Sequence, residues 1–294
     1  MILISTLVLA ANWGAYFYPW ACNARVCILS PELAFHAAPP DFLEQFGKVI
    51  LINGVADEWL FHPRWMQEPR PNSFFFLWDP ARCPLYAPPP AKLERLKGLH
   101  RCYSFQREDC RDFGLRFNST MFAPPPPGLL PEDVQERWDV LFLGVPKDRL
   151  PLLRALHGQW SKMGLRLQFR VGLTGLEDVQ PEQGDGWLVT HEWLDYADYL
   201  ALALQSRCLL DLYQAIQTGF SLRVMEHIFF ARKLITNNGT LRHAAFYHPD
   251  NIFILGEDDM RGIGRWLDLP FVPIGDDIRQ YYSFEAWIDR FVLE

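Results

Sequence analysis

Short apolar runs rich in β-branched and aromatic residues recur along this chain of 294 residues and alternate with helical patterns. Most of the runs are apolar along nearly their whole length, which is typical of parallel strands whose two faces are both covered. The alternation of such runs with helices predicts an α/β fold built on parallel sheets. The predicted strands are residues 2–10, 48–54, 73–79, 101–105, 139–145, 165–172, 186–191, 207–213, 232–238 and 251–256.

Four consecutive prolines, Pro124 to Pro127, mark the clearest boundary in the chain. A proline run forbids a helix and favours an extended polyproline segment, so we expect a linker here. The chain is also longer than a single core usually organises. We therefore predict an N-terminal Rossmann-like domain over residues 1–127, a C-terminal one over residues 128–275, and a C-terminal helix over residues 276–294 that packs back toward the N-terminal domain.

The composition, with 49% hydrophobic and 21% charged residues, is that of a globular protein. A formal net charge of −7 opposes binding to a nucleic-acid backbone, which requires a basic surface, so we expect no nucleic-acid partner. The six cysteines form no C-x-x-C pair, which predicts reduced thiols and a cytoplasmic protein. The first apolar run lacks preceding basic residues and is too short to span a bilayer, so a buried strand is favoured over a secretory signal.

A turn that leads into a helix follows the predicted strand at residues 207–213. In an open parallel sheet, ligands bind beyond the carboxyl ends of the strands, at helix N-termini. Asp211 lies at the end of this strand, Gly219 permits close approach of the backbone, and Ser221 is the predicted N-cap. The backbone amides freed at such a turn suit a diphosphate. The apolar helical positions expected to face inward are Leu222, Met225, Phe229 and Phe230.

Arg223 and Glu226 stand three residues apart at the start of the same helix and share one side of it. An arginine at a helix N-terminus opposes the helix dipole, which is better tolerated if an anion lies in front of it. The pair is therefore either part of a ligand site or a surface ion pair worth a few tenths of a kcal/mol. The motif alone leaves both interpretations open.

Asp79 lies at the end of another predicted strand, where it serves either as a base toward an acceptor or as a cap. The chain contains no D-x-D motif, and His243 and His248 fit no metal-ligand pattern. We therefore expect neither a metal nor another cofactor. The helix after the predicted strand at residues 139–145 has one apolar face, formed by Leu152, Leu153, Leu156 and Trp160.

Three segments resemble bacterial glycosyltransferase-like proteins of lipopolysaccharide and capsule biosynthesis. The longest is SRCLLDLYQAIQTGFSLRVMEHIFFARKLITNN, where the family typically reads D-x-x-x-x-x-Q-x-G-L-[ST]-x-R-x-x-E and then K-L-I-T-x-N. Phe220 and Ser221 stand here for the usual leucine and threonine. The others are RCYSFQREDCRDFGLRF and WDVLFLGVPKDRLPLL. The likeness begins at about Phe74, and the family's F-D-x-x-D turn here has Gln106 as its second residue.

The resemblance implies the GT-B architecture, in which two Rossmann-like domains with parallel sheets face a cleft. It implies that Glu226 hydrogen-bonds the ribose of a nucleotide, that Arg223 and the amides near Gly219 to Ser221 hold the diphosphate, and that Lys147 and Arg149 neutralise the leaving phosphate. The remaining positions that the resemblance assigns to donor binding or to the cleft are Gly144, Gln217, Asp211 and Asn237.

The function expected from the resemblance is a metal-independent glycosyltransferase that moves a sugar from a nucleotide-sugar donor to a cell-surface glycan, either lipopolysaccharide, O-antigen or capsule. A lipid-linked acceptor would bring the protein to the cytoplasmic face of the inner membrane, in contact with other glycan-assembly proteins. The alternative is a catalytically silent nucleotide-sugar-binding subunit that partners another transferase. A sugar-nucleotide epimerase would require acids and histidines around the sugar ring, which the sequence does not place clearly.

Overall fold

A computed structural model describes residues 1–5, 23–29, 41–52, 71–83, 88–125, 128, 134–173, 185–190 and 194–292. The chain forms two compact units. Unit 1 comprises Met1–Pro125, Ile216–Phe220 and Tyr282–Glu294, and unit 2 comprises Pro126–Ala215 and Ser221–Tyr281. The loop Ile216–Phe220, which the sequence-based division assigns to the C-terminal domain, therefore groups with unit 1.

The strands, in chain order, are β1 (Ile2–Ser5), β2 (Val26–Leu29), β3 (Lys48–Ile52), β4 (Ser73–Leu77), β5 (Arg101–Ser104), β6 (Arg116–Phe117), β7 (Trp138–Gly144), β8 (Leu167–Leu173), β9 (Leu188–Thr190), β10 (Ser206–Asp211), β11 (Lys233–Thr236) and β12 (Ile252–Ile254). The α-helices are α1 (Pro90–Leu99), α2 (Arg107–Phe113), α3 (Leu150–Lys162), α4 (Tyr196–Leu204), α5 (Leu222–Phe230), α6 (Ile263–Asp268), α7 (Asp276–Tyr282) and α8 (Phe284–Asp289). Short 3-10 helices span Phe42–Gln45, Lys147–Arg149, Gly239–His243 and Met260–Gly262.

Each unit is built on one parallel sheet. The order is β2-β1-β3-β4-β5-β6 in unit 1 and β12-β11-β10-β7-β8-β9 in unit 2, and every neighbouring pair is parallel. All five residues of β4 are buried, as a strand covered on both faces requires. The prediction of two Rossmann-like α/β domains with parallel sheets is confirmed.

Each predicted strand coincides with an observed strand within a few residues. Two observed strands, β2 and β6, were not predicted. β6 has two residues and β2 has four, and runs this short cannot be told from loops by their pattern. The predicted extensions over residues 6–10, 53–54 and 191 lie outside the described residues.

The apolar face of α3 differs from the prediction at one position. Leu153, Leu156 and Trp160 are buried, but Leu152 is 38% exposed and Leu150 takes its place in the core. Positions 153, 156 and 160 repeat at helical spacing, whereas residue 152 lies about 100° around the helix from residue 153.

The burial of α5 also corrects the prediction. Of the four residues expected to face inward, Met225 is buried, whereas Leu222, Phe229 and Phe230 are half-buried. The buried stretch is instead a continuous one, from Val224 to Ile228. Because consecutive residues point to all sides of a helix, its middle is enclosed all round and Glu226 lies inside the protein.

The segment predicted as one C-terminal helix contains two, α7 and α8, separated at Ser283. Ser283 has extended backbone angles, and its side chain accepts a hydrogen bond from the amide of Ala286. This residue is therefore the N-cap of α8, and an N-cap conformation ends the preceding helix.

The C-terminal segment completes the core of unit 1. The Trp287 ring lies edge-on to Phe76 and Phe291, with centroids 5.1 and 4.7 Å away, and Phe291 lies 4.8 Å from Tyr103. Lys48 Nζ donates to the carbonyl oxygen of residue 288 at 3.0 Å, which fixes α8 to β3. Among the described helices, none is long and apolar enough to cross a membrane.

We expect Trp287→Ala to destabilise the protein by about 3–5 kcal/mol, because it removes a fully buried ring and leaves a cavity. Val292→Ala, at a position that is 47% exposed in the same segment, is the control and should change the free energy of unfolding by less than about 0.5 kcal/mol. Denaturant unfolding of both variants measures the difference. Equal stabilities would show that this segment does not contribute to the core.

Candidate functional site

The two halves of the unit 2 sheet meet between β7 and β10. The chain proceeds from β7 through β8 to β9 toward one edge of the sheet, and from β10 through β11 to β12 toward the other edge. In open parallel sheets, ligands bind beyond the carboxyl ends of the strands at such a switch point. The residues that follow β7 and β10 therefore form the candidate site.

Arg149 spans the switch point with its side chain. Its Nη2 donates to the carbonyl oxygen of Val145, after β7, and its Nη1 donates to that of Leu212, after β10, each at 2.6 Å. Burial lowers the pKa of Arg149, and the carboxylates of Asp211 and Asp148 oppose this shift. Among the described residues its hydrogen-bond acceptors are all backbone carbonyls. No carboxylate therefore hydrogen-bonds this cation within the described part of the chain.

Arg223 is a second arginine at the same edge of the sheet. Its Nη2 donates to the carbonyl oxygen of Leu143 in β7 at 2.8 Å, and its Nη1 lies 3.1 and 3.3 Å from the two carboxylate oxygens of Glu226. The guanidinium carbon lies 4.1 Å from the centre of the Tyr199 ring. The side chain is still 19% exposed, so a cation held in one orientation remains accessible from solvent.

The carboxylate of Glu226 is enclosed by protein, with 0% of its side chain exposed. Tyr196 donates its hydroxyl to Oε1 at 3.0 Å, Tyr199 donates to Oε2, and Arg223 donates to both oxygens. Burial raises the pKa of Glu226, while Arg223 and the two tyrosines oppose the rise. Three donors directed at two oxygens fit an ionised carboxylate, which only accepts hydrogen bonds.

The structure bears on both interpretations of the Arg223 and Glu226 pair. The ribose contact that the resemblance gives Glu226 stays a prediction, and in this structure the carboxylate is buried and bonded by donors of the protein. The alternative of a surface ion pair is wrong, because the pair is buried and hydrogen-bonded to two tyrosines. Burial would lower the pKa of Arg223, but Tyr199, Glu226 and Asp211 outweigh it and raise that pKa.

Ser221 is the N-cap of α5, as predicted. Its Oγ accepts from the amide of Val224 at 3.3 Å and donates to Oδ2 of Asp211 at 2.5 Å. Asp211 is 6% exposed, and burial raises its pKa to about 6 although the Ser221 hydroxyl and both arginines lower it. Asp211 thus lies at the switch point with a carboxyl group that titrates near neutral pH.

Asn237 secures the loop after β10. Its Oδ1 accepts from the amide of Tyr213 at 2.7 Å, and its Nδ2 donates to the Tyr213 carbonyl oxygen at 3.1 Å. The hydroxyl of Tyr213 in turn accepts from the amide of Ser221 at 2.9 Å. Both ends of the Asn237 amide are used within the protein, which makes this predicted cleft residue a support of the loop.

Two of the backbone amides predicted to hold a diphosphate, those of Gly219 and Ser221, are hydrogen-bonded within the protein. The amide of Thr218 lies 2.6 Å and that of Gly219 3.3 Å from Oε1 of Gln106, and the amide of Ser221 is bonded to Tyr213. The amides of Leu222 and Arg223, in the first turn of α5, have no acceptor within the helix. Amides without an intrahelical acceptor therefore lie just beyond the predicted stretch, at the first two positions of α5.

The place of Gly219 is explained by packing inside unit 1. A Cβ on this residue would lie 2.7 Å from the carbonyl oxygen of Phe105, and it would also overlap the ring of Phe105. Close approach of the backbone is required here, as predicted, but the group that approaches is Phe105. A role for Gly219 in holding a ligand stays a prediction.

Four other predicted residues have simple positions. Gly144 is the last residue of β7, and Lys147 begins the 3-10 helix after it, although its side chain is not described. Gln217 is half-buried in the loop that groups with unit 1, and Asp79 is half-buried in the turn after β4. Their roles remain predictions.

Two residues of the site escape the sequence analysis. Tyr196 and Tyr199 lie on α4, which begins after the N-cap Asp195, and both hydroxyls point at Glu226. Their spacing of three residues, directly after a capping residue, was the available signal. It indicates a shared helix face but does not say what that face contacts.

Among the residues that the structure describes, no group of three or more His, Cys, Asp or Glu side chains is placed to hold a metal ion. A cavity of about 490 Å³ lies elsewhere in unit 2, beside β8. Its lining includes His157 and Trp187, which stack with centroids 5.3 Å apart, and it contains no residue of the candidate site.

We expect Gly219→Ala to destabilise the protein by about 1–3 kcal/mol, because one of the atoms that the new methyl group meets is a backbone oxygen that cannot rotate away. Gly158→Ala, in α3, is the matched control: nothing lies within 4 Å of a Cβ there, and alanine should stabilise the helix by about 0.5–1 kcal/mol. Thermal and denaturant unfolding measure the stability of both variants. A neutral Gly219→Ala would contradict the close packing against Phe105.

We expect Asp211→Asn to change how stability depends on pH. The folded-state pKa of Asp211 lies above its ordinary value of 3.8, at about 6, so the folded protein holds this proton more tightly and loses stability as pH rises through that window. The variant should gain about 3 kcal/mol relative to the wild type between those two pH values. Asp259→Asn is the control, since Arg261 lowers the pKa of that exposed carboxyl and no such gain is expected. Denaturant unfolding from pH 3.5 to 7 measures the difference, and a constant difference would contradict the burial of Asp211.

The chain matches no protein-family model and no curated protein. It is similar in structure to T4 phage BGT in complex with UDP and Mn²⁺, with a TM-score of 0.52 and 10% identity over 99% of this chain and 97% of that one. Weaker likenesses are AviGT4, a glycosyltransferase involved in avilamycin A biosynthesis (TM-score 0.49, 15% identity, 85% and 84% of the two chains), and TarM (TM-score 0.48, 13% identity, 86% and 56%). At this identity, the likeness to T4 phage BGT shows that the chain shares the fold of that protein.

Proposed function

We propose that this protein is a glycosyltransferase that binds a nucleotide-sugar donor at the switch point of unit 2 and transfers the sugar to a glycan acceptor. The observation that carries the proposal is the placement of two arginines, Arg149 and Arg223, on carbonyl oxygens that flank this switch point. Carbonyl oxygens orient the Arg149 guanidinium without neutralising it. Arg223, in contrast, is oriented by the Leu143 carbonyl oxygen and is paired with Glu226. Two oriented cations beside a helix N-terminus suit the diphosphate of a nucleotide sugar.

Each group has a distinct role in the proposed reaction. Arg149 and Arg223 bind the two phosphates, and the amides of Leu222 and Arg223 at the start of α5 add neutral donors. When the bond from the sugar to the diphosphate breaks, negative charge grows on the phosphate oxygen that leaves. Cations already fixed in place stabilise that charge without rearrangement, which lowers the barrier.

We propose further that the reaction needs no metal. The carboxylates at this edge of the sheet, Asp211 and Glu226, are engaged by Ser221 and by Arg223 with the tyrosines. Arginines therefore supply the positive charge that a divalent ion supplies elsewhere. The similar T4 phage BGT structure is a complex with UDP and Mn²⁺, so dependence on this ion is a necessary test.

The nucleotide and the acceptor are the finer parts of the proposal. UDP is the first nucleotide to test because the T4 phage BGT structure contains it. The ordered motifs that resemble lipopolysaccharide and capsule proteins favour a cell-surface glycan as acceptor, with transfer in the cytoplasm or at the cytoplasmic face of the membrane.

The activity is tested by incubating the purified protein with a panel of nucleotide sugars and measuring the nucleoside diphosphate released, with and without glycan acceptors. We expect release that depends on an acceptor and continues in EDTA. Turnover that requires added Mn²⁺ would overturn the metal-independent part. Binding of a nucleotide sugar without turnover on any acceptor would favour the alternative, a silent subunit that partners another transferase.

We expect Arg149→Ala and Arg223→Ala each to weaken binding of the matching nucleoside diphosphate by about 1–3 kcal/mol, because each removes a charged hydrogen-bond partner. Arg261→Ala is the control, since that side chain is 91% exposed and pairs with Asp259 away from the switch point. Calorimetric titration of each folded variant measures the affinity. Unchanged affinity in both test variants would remove the arginines from the site.

A further inference from the structure

We propose that Glu226 is a positioning residue that acts on the donor diphosphate through Arg223 and does not touch the ligand. The inference rests on the proposed function, since it assumes that Arg223 binds a diphosphate. It differs from the role that the resemblance implies, in which this glutamate contacts the ribose. The juxtaposition that carries it is a fully enclosed carboxylate behind a partly exposed guanidinium.

The geometry separates the two roles. Glu226 has 0% of its side chain exposed, while Arg223 retains 19%. Within the described part of the chain, the donors that reach the Glu226 oxygens come from α4 and α5, namely the hydroxyls of Tyr196 and Tyr199 and the guanidinium of Arg223. A ribose hydroxyl would have to displace one of these buried donors, which would leave that donor unsatisfied.

Arg223 retains hydrogen-bonding capacity toward solvent. A guanidinium has five N–H donors. The described contacts use Nη1 toward Glu226 and Nη2 toward the Leu143 carbonyl oxygen, and none involves Nε–H. The remaining N–H groups are those that can meet a phosphate oxygen.

Three contacts fix the plane in which those free donors lie. Glu226 holds one end of the guanidinium, the carbonyl oxygen of Leu143 holds the other, and the Tyr199 ring supports its face at 4.1 Å. A phosphate accepts two parallel N–H groups only when the guanidinium presents the correct edge. Loss of the carboxylate would leave the cation present but free to turn.

The test compares Glu226→Gln, Arg223→Gln and the double variant, using three probes with the wild type as reference. Inorganic pyrophosphate contains the diphosphate without a ribose, uridine contains the ribose without a phosphate, and UDP contains both. Calorimetry measures the affinity of each variant for UDP and for pyrophosphate, and NMR titration measures its affinity for uridine. Thermal unfolding and circular dichroism establish that each variant is folded at the temperature of measurement.

We expect Glu226→Gln to weaken the binding of pyrophosphate and of UDP by about tenfold, because it misplaces one charged donor. The affinity for uridine should change by less than about twofold. In the Arg223→Gln background, Glu226→Gln should add less than about a twofold further loss, since the residue through which it acts is gone. Tyr196→Phe, which removes one hydroxyl from Glu226 and keeps the ring, should give a smaller loss of affinity for pyrophosphate and UDP and leave the affinity for uridine unchanged.

The double variant separates positioning from general stability. It replaces the buried ion pair by two neutral amides, so it should unfold at a higher temperature than Glu226→Gln, which leaves a buried guanidinium without its carboxylate. Its pyrophosphate affinity should nevertheless match that of Arg223→Gln. Recovery of affinity together with stability would show that Glu226 serves only to stabilise the fold, and would overturn the inference.

Two other outcomes separate this inference from the function on which it rests. If Glu226→Gln weakens the binding of uridine as much as that of UDP, both in the wild type and in the Arg223→Gln variant, then Glu226 binds the ribose directly. The positioning role would then be wrong, while the transferase proposal would stand. If the wild type binds neither pyrophosphate nor any nucleoside diphosphate among UDP, ADP, GDP and CDP, the donor site itself is refuted and the inference falls with it.

Discussion

The candidate site depends on one buried interaction, the contact between the Glu226 carboxylate and its three donors. A charge enclosed by protein loses its hydration, a cost of several kcal/mol that only close and well-directed partners offset. Here the partners come from two helices, so the same contact that stabilises the charge also joins α4 to α5. Arg223 then extends the connection to β7 through the Leu143 carbonyl oxygen. A single carboxylate thereby sets the orientation of a helix, a strand end and a cation.

The net charge of the chain does not indicate the two arginines at the switch point. The chain carries a formal net charge of −7, yet Arg149 and Arg223 meet at one edge of the unit 2 sheet, held there by backbone carbonyls. A local field of this kind acts over the Debye length, about 8–10 Å at physiological salt, and an anion responds to it even when the overall charge is unfavourable. The net charge of a protein therefore excludes polyanionic partners more firmly than it excludes a small phosphate ligand.

The sequence predicted the features that depend on neighbouring residues. The strands, the N-cap at Ser221 and the closeness of the backbone at Gly219 all follow from local patterns, and the structure contains each of them. It did not predict contacts between distant segments. Gln106 accepts hydrogen bonds from backbone amides 112 and 113 positions away, and the Tyr196 hydroxyl donates to a carboxylate 30 positions away. Residue type and spacing indicate that such groups are polar, but only the folded chain decides which partner each of them finds.

The make-up of unit 1 bears on how the polypeptide is made. This unit combines the first 125 residues with the loop Ile216–Phe220 and a final segment that begins at Tyr282. Its aromatic centre lacks Trp287 and Phe291 until these residues are made, and they are translated after the described strands of both units. The described strands of unit 2 are all made by Ile254, so this unit can close first although it starts later in the message. During translation the sheet of unit 1 therefore keeps apolar surface uncovered until residues 287–291 have emerged, and this period is when the nascent protein most needs a chaperone.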